Sequence, residues 1–540
     1  MNYKDKYNDW LNSSFLSKKE KEELKNMSEE EIKEAFSLDL KFGTAGIRGK
    51  MGLGTSLMNK YTISKVTQGL ANYLNNKKKR AVVIIAYDTR HHSKEFAKST
   101  ALILNNNGIK TFIYPEVAST PELSYAITKL KADMGIVITS SHNASIYNGY
   151  KVYNNTGGQI VSPEDNEIIE EVNKIDDISS IKEREEGNEL YNILSSDIRN
   201  AFIEEIEKVI INKDIVKKYS KDIRITYSPL HGTGIRLAPK IFNKYKVKVN
   251  YVKEQFTEDP EFTYAKEPNP EYIENYDLAI KYAKENDSDV IILSDPDADR
   301  IGIMIKTNTG YELLNGNVIG SLFIYYLLNN VDSSNKYVVK SYVTSNMVDK
   351  IASYYHVNIK ESLTGCKYIA DIRNNDKENY LFGFEESLGY MFNIKVNDKN
   401  SFSSMIFLIE ILSYLKSINK TIYEYISEMY QKFGFYSNKT ISLVYEGIDG
   451  IDKMNKIMDN LRSKDIFNEK EKIDYLRKRN SLKSNAIKFI LNDNEYFMVR
   501  PSGTEPKIKI YLFVSETSMK KSKEKLLELE KMIKEKVNSI

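Results

Sequence analysis

Residues 81–90 (AVVIIAYDTR), 134–143 (MGIVITSSHN), 289–300 (DVIILSDPDADR) and 336–346 (KYVVKSYVTSN) share one pattern, an apolar run that breaks into polar residues. A strand with one wet face alternates apolar and polar positions. Runs that are apolar on successive residues therefore predict strands buried on both faces, as in sheets covered by helices. Amphipathic stretches of helical spacing lie between them, for example 64–76 (SKVTQGLANYLNN) and 121–132 (PELSYAITKLKA). The chain thus predicts repeated α/β units. In such sheets ligands bind beyond the carboxyl ends of the strands, which is where each run turns polar. The Lys/Glu-rich stretch 176–190 predicts a solvated helix or linker, and 518–537 an amphipathic helix.

Length and composition narrow the classes. With 540 residues, 41% hydrophobic and 28% charged, the chain can bury several cores and divides into about three or four domains. Its formal net charge is +3, from 78 basic and 75 acidic residues, which lacks the one-sided charge of a nucleic-acid binder. The single cysteine, Cys366, excludes an intramolecular disulfide and agrees with a reducing compartment, so a cytoplasmic location is expected. The N-terminal stretch lacks the apolar core of a signal peptide. The longest apolar stretches, such as 405–415 (MIFLIEILSYL), are too short to span a bilayer, and no membrane partner is expected.

Five polar constellations carry candidate chemistry. Asp295, Asp297 and Asp299 follow an apolar run at a spacing of two. Extended or tightly turned, such a segment can converge several carboxylates on one hard cation, a candidate Mg²⁺ site; the alternative is an acidic turn that caps a helix. The offsets of a calcium-binding EF-hand are absent. Ser141 follows the run 135–139, with His142 beside it and Lys151 ten residues on; a serine hydroxyl needs such assistance to act as a nucleophile, although a hydrogen-bonded loop has the same composition. The G-x-S-x-G of an α/β-hydrolase elbow is missing. In 500–511 (RPSGTEPKIKIY), Arg500 offers a planar fork while Ser502, Gly503 and Thr504 offer hydroxyl and backbone donors, a candidate phosphate cradle or an ordinary turn. Glu385 and Ser387, two apart in 382–390 (FGFEESLGY), would point the same way and suit neighbouring sugar hydroxyls, or form a solvated edge. In the glycine-rich 42–52 (FGTAGIRGKMG), Arg48 offers charge to a phosphoryl group.

Taken in order, FGTAGIRG, TSSHN with YNGYKVY, SDPDADR, GFEESLGY and RPSGTEPKIKIY resemble the α-D-phosphohexomutase superfamily, most closely its phosphoglucomutase/phosphopentomutase-like branch. The resemblance runs from about residue 40 to the C-terminal region. It takes in 87–93 (YDTRHHS), 228–234 (SPLHGTG), 267–271 (EPNPE) and 363–369 (LTGCKYI). It implies an α/β protein of four domains around a central cleft: 1–200 with a phosphoserine loop, 201–310 with a metal loop, 311–432 with a sugar-recognition loop, and a smaller α+β domain, 433–540, that binds phosphate. The first three carry mixed sheets. By similarity, Asp295, Asp297, Asp299 and an oxygen of phosphorylated Ser141 ligate Mg²⁺. Lys151 is the implied general acid/base, His142 assists at Ser141, and Arg48 offsets charge on the transferring group. Glu385, Ser387, Thr364 and Gly365 face the sugar; Arg500, Ser502, Gly503 and Thr504 hold the phosphate that is not reacting; Lys399 and Arg300 add positive charge.

The activity implied is a phosphosugar mutase, interconverting glucose 1-phosphate and glucose 6-phosphate through a phosphoserine enzyme and a bound bisphosphate, with glucose 1,6-bisphosphate as activator. Phosphopentomutase, phosphomannomutase and glucose-1,6-bisphosphate synthase share the same scaffold, and a silent phosphosugar-binding relative is the alternative of another class. A monomer or weak dimer is expected, with small phosphosugars as its partners. The chain departs from the family pattern at Ala144, where proline is common, at Cys366, where this branch often has an aromatic, and in lacking the histidine that phosphomannomutase-like relatives carry after the E-x-S pair.

Overall fold

The computed structural model describes residues 2–40, 42–43, 46–445, 450–502 and 507–539. They form two compact units, Met1–Leu314 with Ser387–Asn419, and Asn315–Glu386 with Lys420–Ile540.

The first unit carries two mixed sheets. One contains β1 (Gly46–Lys50), β2 (Val82–Tyr87), β3 (Lys110–Ile113), β4 (Met134–Ile138), β5 (Tyr147–Asn154) and β6 (Tyr191–Ile193), in the order β1-β5-β4-β2-β3-β6. Strands β2, β3, β4 and β6 run parallel, while β5 runs antiparallel to β4 and β1. The continuous apolar run of β2 has a direct structural cause. Val83 and Ile85 pack into one core layer with Leu70 and Ala97, whereas Ile84 and Ala86 pack into another with Leu123 and Ile127. Successive side chains point to opposite faces, and each face is covered by helices: Lys60–Lys77 and Ser93–Asn106 on one, Thr120–Leu130 on the other. Each such buried Val, Ile or Leu contributes about 1.5–3 kcal/mol.

The second sheet holds β7 (Arg224–Ser228), β8 (Lys248–Tyr251), β9 (Val290–Ser294), β10 (Ile301–Thr307) and β11 (Gly310–Leu314), in the order β11-β10-β9-β7-β8, with β7, β8 and β9 parallel, β10 antiparallel to β9, and β11 antiparallel to β10. Ahead of the first sheet, helices Tyr3–Asn12, Lys18–Lys25 and Glu29–Phe36 each begin with a reciprocal capping box, from Asn2 and Asp5, Ser17 and Glu20, and Ser28 and Glu31. They pack through Trp10, Leu24 and Phe36 against Leu53 and Tyr61. The Lys/Glu-rich stretch is linker: a short 3₁₀ turn, Ile178–Ser180, followed by irregular chain.

In the second unit β12 (Tyr337–Ser341) pairs in parallel with β13 (Asn358–Ser362) and β14 (Tyr380–Glu385). An antiparallel sheet follows in the order 435–444, 507–516, 495–501, 487–492, 471–474. The amphipathic segment predicted near the end is the helix Met519–Asn538, whose Leu529 and Ile533 join the core of that sheet. Among the described residues no single helix is long and apolar enough to cross a membrane. The apolar stretch around Met405 to Leu415 lies in a buried helix, Ser401–Ser417.

Candidate active site

The polar residues that follow β4 and β9 meet. β4 ends at Ile138, and Ser141 follows in the left-handed region at φ 54° with 2% of the residue exposed. Its Oγ donates to Asp295 Oδ2 at 3.0 Å and lies 3.2 Å from His142 Nδ1. β9 ends at Ser294, and the next residues fold into a tight turn: Ala298 sits at φ 52°, and Asp295 Oδ1 accepts the backbone N–H groups of Asp299 and Arg300 at 3.1 and 3.0 Å. Two further contacts fix the turn. The Pro296 carbonyl accepts from Thr233 N and Oγ1, and a Cβ on Gly232 would lie 2.2 Å from Pro296 Cα, so only glycine allows this approach.

The turn brings ligand atoms of Asp295, Asp297 and Asp299 within 4.8 Å of one another, with all three residues buried. Asp297 Oδ2 accepts from Lys151 Nζ at 2.8 Å and Thr120 Oγ1 at 2.9 Å. Asp299 Oδ2 lies 2.7 Å from Lys399 Nζ and 3.9 Å from Lys151 Nζ. Asp297 Oδ1 and Asp299 Oδ1 have no hydrogen-bond partner among the described residues. Burial and the neighbouring carboxylates of Asp299 and Asp297 hold the Asp295 carboxyl well above its usual range, whereas at Asp297 burial is outweighed by Lys151 and Lys399 and the carboxyl is held low. Three sealed carboxylates, two of them with an orphaned oxygen, suit a hard dication that accepts oxygen ligands. The residues present fit Mg²⁺.

Sheet register places the remaining groups. β1 lies so tightly on β5 that a Cβ on Gly46 would fall 1.9 Å from the Tyr150 carbonyl oxygen; the pairing sets Arg48 opposite Gly149 and Gly46 opposite Lys151. Arg48 stays accessible to solvent while it feels Asp297, Asp299 and Arg300. Burial, together with Arg300 and Arg48, holds the His142 imidazole well below its usual value, so it is neutral at pH 7. Lys399 is seated from behind by Asp398, whose carboxylate accepts from Tyr153 Oη at 2.9 Å and from Lys399 N at 2.8 Å.

The other predicted residues lie as follows. Glu385, the last residue of β14, accepts from Gly365 N and from Cys366 Sγ (3.1 Å) at the start of helix Cys366–Asn375. Thr364 is half-buried beside it in sequence. Ser387, in the turn after β14, is half-buried and belongs to the first unit, as do Arg300 and Lys399. Arg500 sits on the strand Glu495–Pro501 opposite Lys509. Ser502 N donates to Lys507 O at 2.7 Å. Gly503 and Thr504 lie outside the described residues.

Comparison with known proteins agrees across almost the whole length. Models of the phosphoglucomutase/phosphomannomutase alpha/beta/alpha domains I, II and III match residues 39–179, 200–310 and 315–433, and that of the C-terminal domain matches 460–530. The chain belongs to this family. A phosphoglucomutase of Staphylococcus haemolyticus is 35% identical over 506 residues, 89% of this chain and 91% of that protein; one of Staphylococcus aureus is 35% identical over 511 residues, 90% and 91%. Among solved structures, the open form of the parafusin phosphoglucomutase of Paramecium superposes with a TM-score of 0.69 at 18% identity, covering 89% of this chain and 90% of that one. A phosphoglucomutase/phosphomannomutase family protein of Burkholderia thailandensis superposes with 0.68 at 16%, covering 91% and 97%. At those identities the likeness is one of fold.

Within the first unit, Ser141, His142, Lys151, Lys399 and the three aspartates expected of the family are gathered around one point. Sequence reasoning missed Thr120, which supports Asp297, and Arg90. The Arg90 guanidinium donates from Nη1 to the carbonyls of Ala144 and Tyr147 at 2.7 and 2.9 Å, and from Nη2 to those of Ser141, at 2.7 Å, and Asn143. The signal for Arg90 was its place just after β2, by the same rule that flagged Ser141 and Asp295; Thr120 carried none.

Proposed function

We propose that this phosphosugar mutase interconverts glucose 1-phosphate and glucose 6-phosphate through a phosphorylated Ser141. The observation that carries the proposal is the contact of Ser141 Oγ with Asp295 at 3.0 Å, inside a sealed group of three carboxylates that Lys151 reaches from β5. Ser141 alone resembles a hydrogen-bonded turn; joined to a cation site it is an activated acceptor for a phosphoryl group. The names of the curated relatives favour glucose over mannose and ribose phosphates.

Asp295, Asp297, Asp299 and an oxygen of phosphorylated Ser141 would hold Mg²⁺, which when bound offsets negative charge on the transferring group. The phosphoryl group leaves Ser141 Oγ, which takes a proton from the Lys151 ammonium, for the free hydroxyl of a glucose monophosphate, whose proton returns the lysine to its charged form. The bound bisphosphate turns around, and its other phosphate returns to Ser141 Oγ: the sugar oxygen it leaves takes a proton from Lys151, and the serine proton passes back to the lysine. His142, neutral and beside Oγ, assists at the serine. Arg48, Lys399 and Arg300 supply positive charge where the transferring oxygens gather charge. Glu385, Ser387, Thr364 and Gly365 are assigned to the sugar, and Arg500, Ser502, Gly503 and Thr504 to the phosphate at rest. Glucose 1,6-bisphosphate is the expected activator, since it phosphorylates Ser141 directly.

The test is turnover with Mg²⁺ and a trace of glucose 1,6-bisphosphate, run in parallel on glucose 1-phosphate, mannose 1-phosphate and ribose 1-phosphate. Glucose 1-phosphate is expected to react fastest. A faster ribose or mannose reaction reassigns the sugar, and failure on all three sinks the mutase assignment.

A further inference from the structure

The serine loop has a strained centre and no rigid residue of its own. Ser141 stands at φ 54°, a conformation that a residue with a Cβ adopts only when its surroundings impose it. Ala144, two residues before the exposed Ile146, has no ring to limit the turn. What imposes the conformation is visible on the inner side of the loop, where the carbonyls of Ser141, Asn143, Ala144 and Tyr147 converge on Arg90.

Arg90 is itself fixed from three sides. It lies just after β2, with 3% of its surface exposed. Its Nε faces Asp88 Oδ2 at 3.2 Å, and Asp88 Oδ1 accepts the Arg90 N–H and the Ser93 hydroxyl. Its guanidinium lies 4.8 Å over the Phe262 ring, which is buried. Four carbonyls from one short segment can be gathered only by a planar group with several donors in a fixed fork; a lysine ammonium has three donors on a single nitrogen and cannot span them. With those carbonyls drawn inward, Ser141 Oγ is left pointing at Asp295, the direction that the phosphoryl transfer requires.

Resting on the mutase assignment, we infer that Arg90 is a positioning residue for the reaction: it touches neither sugar nor phosphate and acts by holding the Ser141 loop in its left-handed, Oγ-outward form. Phe262, carried on the segment between β8 and β9, backs the guanidinium and so joins the metal-loop half of the unit to the serine loop.

The experiment is rapid-quench transfer of phosphate from glucose 1,6-bisphosphate to the full-length enzyme, read by intact mass, in wild type, Arg90→Lys and Arg90→Met. Expected is a single-transfer rate lowered about 10- to 100-fold, with the final stoichiometry still near one phosphate per chain and KM for glucose 1-phosphate within about three-fold. A purely structural role predicts the reverse, a reduced stoichiometry with a wild-type rate in the remaining fraction, and that result overturns the inference. Hydrogen exchange of the peptide covering 139–148 is measured alongside and should speed up at least ten-fold in Arg90→Met. If the wild type accepts no phosphate, the mutase assignment has failed; loop exchange then decides Arg90 alone, and unchanged protection refutes it. Should the Arg90 variants not accumulate, Phe262→Leu removes only the ring face, and unchanged transfer and exchange in that variant also refute the proposal.

Discussion

Lys151 Nζ stands 2.8 Å from Asp297 Oδ2, with one side chain 11% exposed and the other sealed from solvent. A lysine in that place does two things at once. It neutralises a carboxylate that faces two others, and it occupies part of the field that a dication would otherwise supply.

Replacing Lys151 with methionine separates these effects. With the metal chelated, the variant keeps buried carboxylates short of one partner, a loss of about 3 kcal/mol. Added Mg²⁺ should restore more stability to Lys151→Met than to wild type, while kcat stays at least about 10²-fold down because the lysine proposed as acid/base is gone. Thermal unfolding in EDTA and in Mg²⁺, with kcat measured on the same samples, checks both. An equal Mg²⁺ gain in the two proteins would show that lysine and cation do not share these carboxylates.

Ser141→Ala should abolish turnover and leave glucose 1-phosphate binding within about three-fold of wild type, because in the proposed route the hydroxyl accepts the phosphoryl group and holds no resting substrate. Isothermal titration and a coupled assay give the two numbers. Turnover at the wild-type rate in this variant refutes the covalent route.

Glu385 makes contacts that its place in the E-x-S pair does not reveal. Its carboxylate receives Gly365 N and Cys366 Sγ, and so closes the first turn of helix Cys366–Asn375. Glu385→Ala is expected to cost about 1–2 kcal/mol of stability, the size of a lost helix cap, and to raise KM for the sugar phosphate. A variant with raised KM and unchanged thermal stability would show that the cap contributes nothing.

The parts of the fold legible in the chain were those with one dominant physical signal. The runs at 82–87, 134–138 and 290–294 are apolar at every or nearly every position, and 337–341 over its first three, because both faces are covered, and they are strands. The spacing of Asp295, Asp297 and Asp299 left an extended strand and a tight turn equally open; the left-handed Ala298 and the two amides bound by Asp295 Oδ1 choose the turn. Arg90 could not be assigned because its acceptors are carbonyls some fifty residues away, and a carbonyl has no residue identity to read. The three N-terminal helices went unread in the sequence, although each begins in an N-x-x-D or S-x-x-E box.

One of those boxes sets an acid limit on the protein. Burial alone would raise the Glu20 carboxyl, but bonds from the Ser17 hydroxyl and N–H, from Lys60 and from Tyr61 outweigh it and bring the group down to about 2. A carboxyl held below its unfolded value stabilises the fold above that value, near 4.5, and the benefit drains away as pH falls from there toward 2. Solvent reaches this surface, so the contribution is about 1–2 kcal/mol after screening. Chemical denaturation of wild type and Glu20→Gln between pH 7 and pH 3 should show wild type the more stable above pH 5, with the gap closing steadily below it. A gap that does not change with pH would mean that the helix start draws on the shape of the Glu20 side chain and not on its charge, and the ion pair with Lys60 would then contribute nothing measurable.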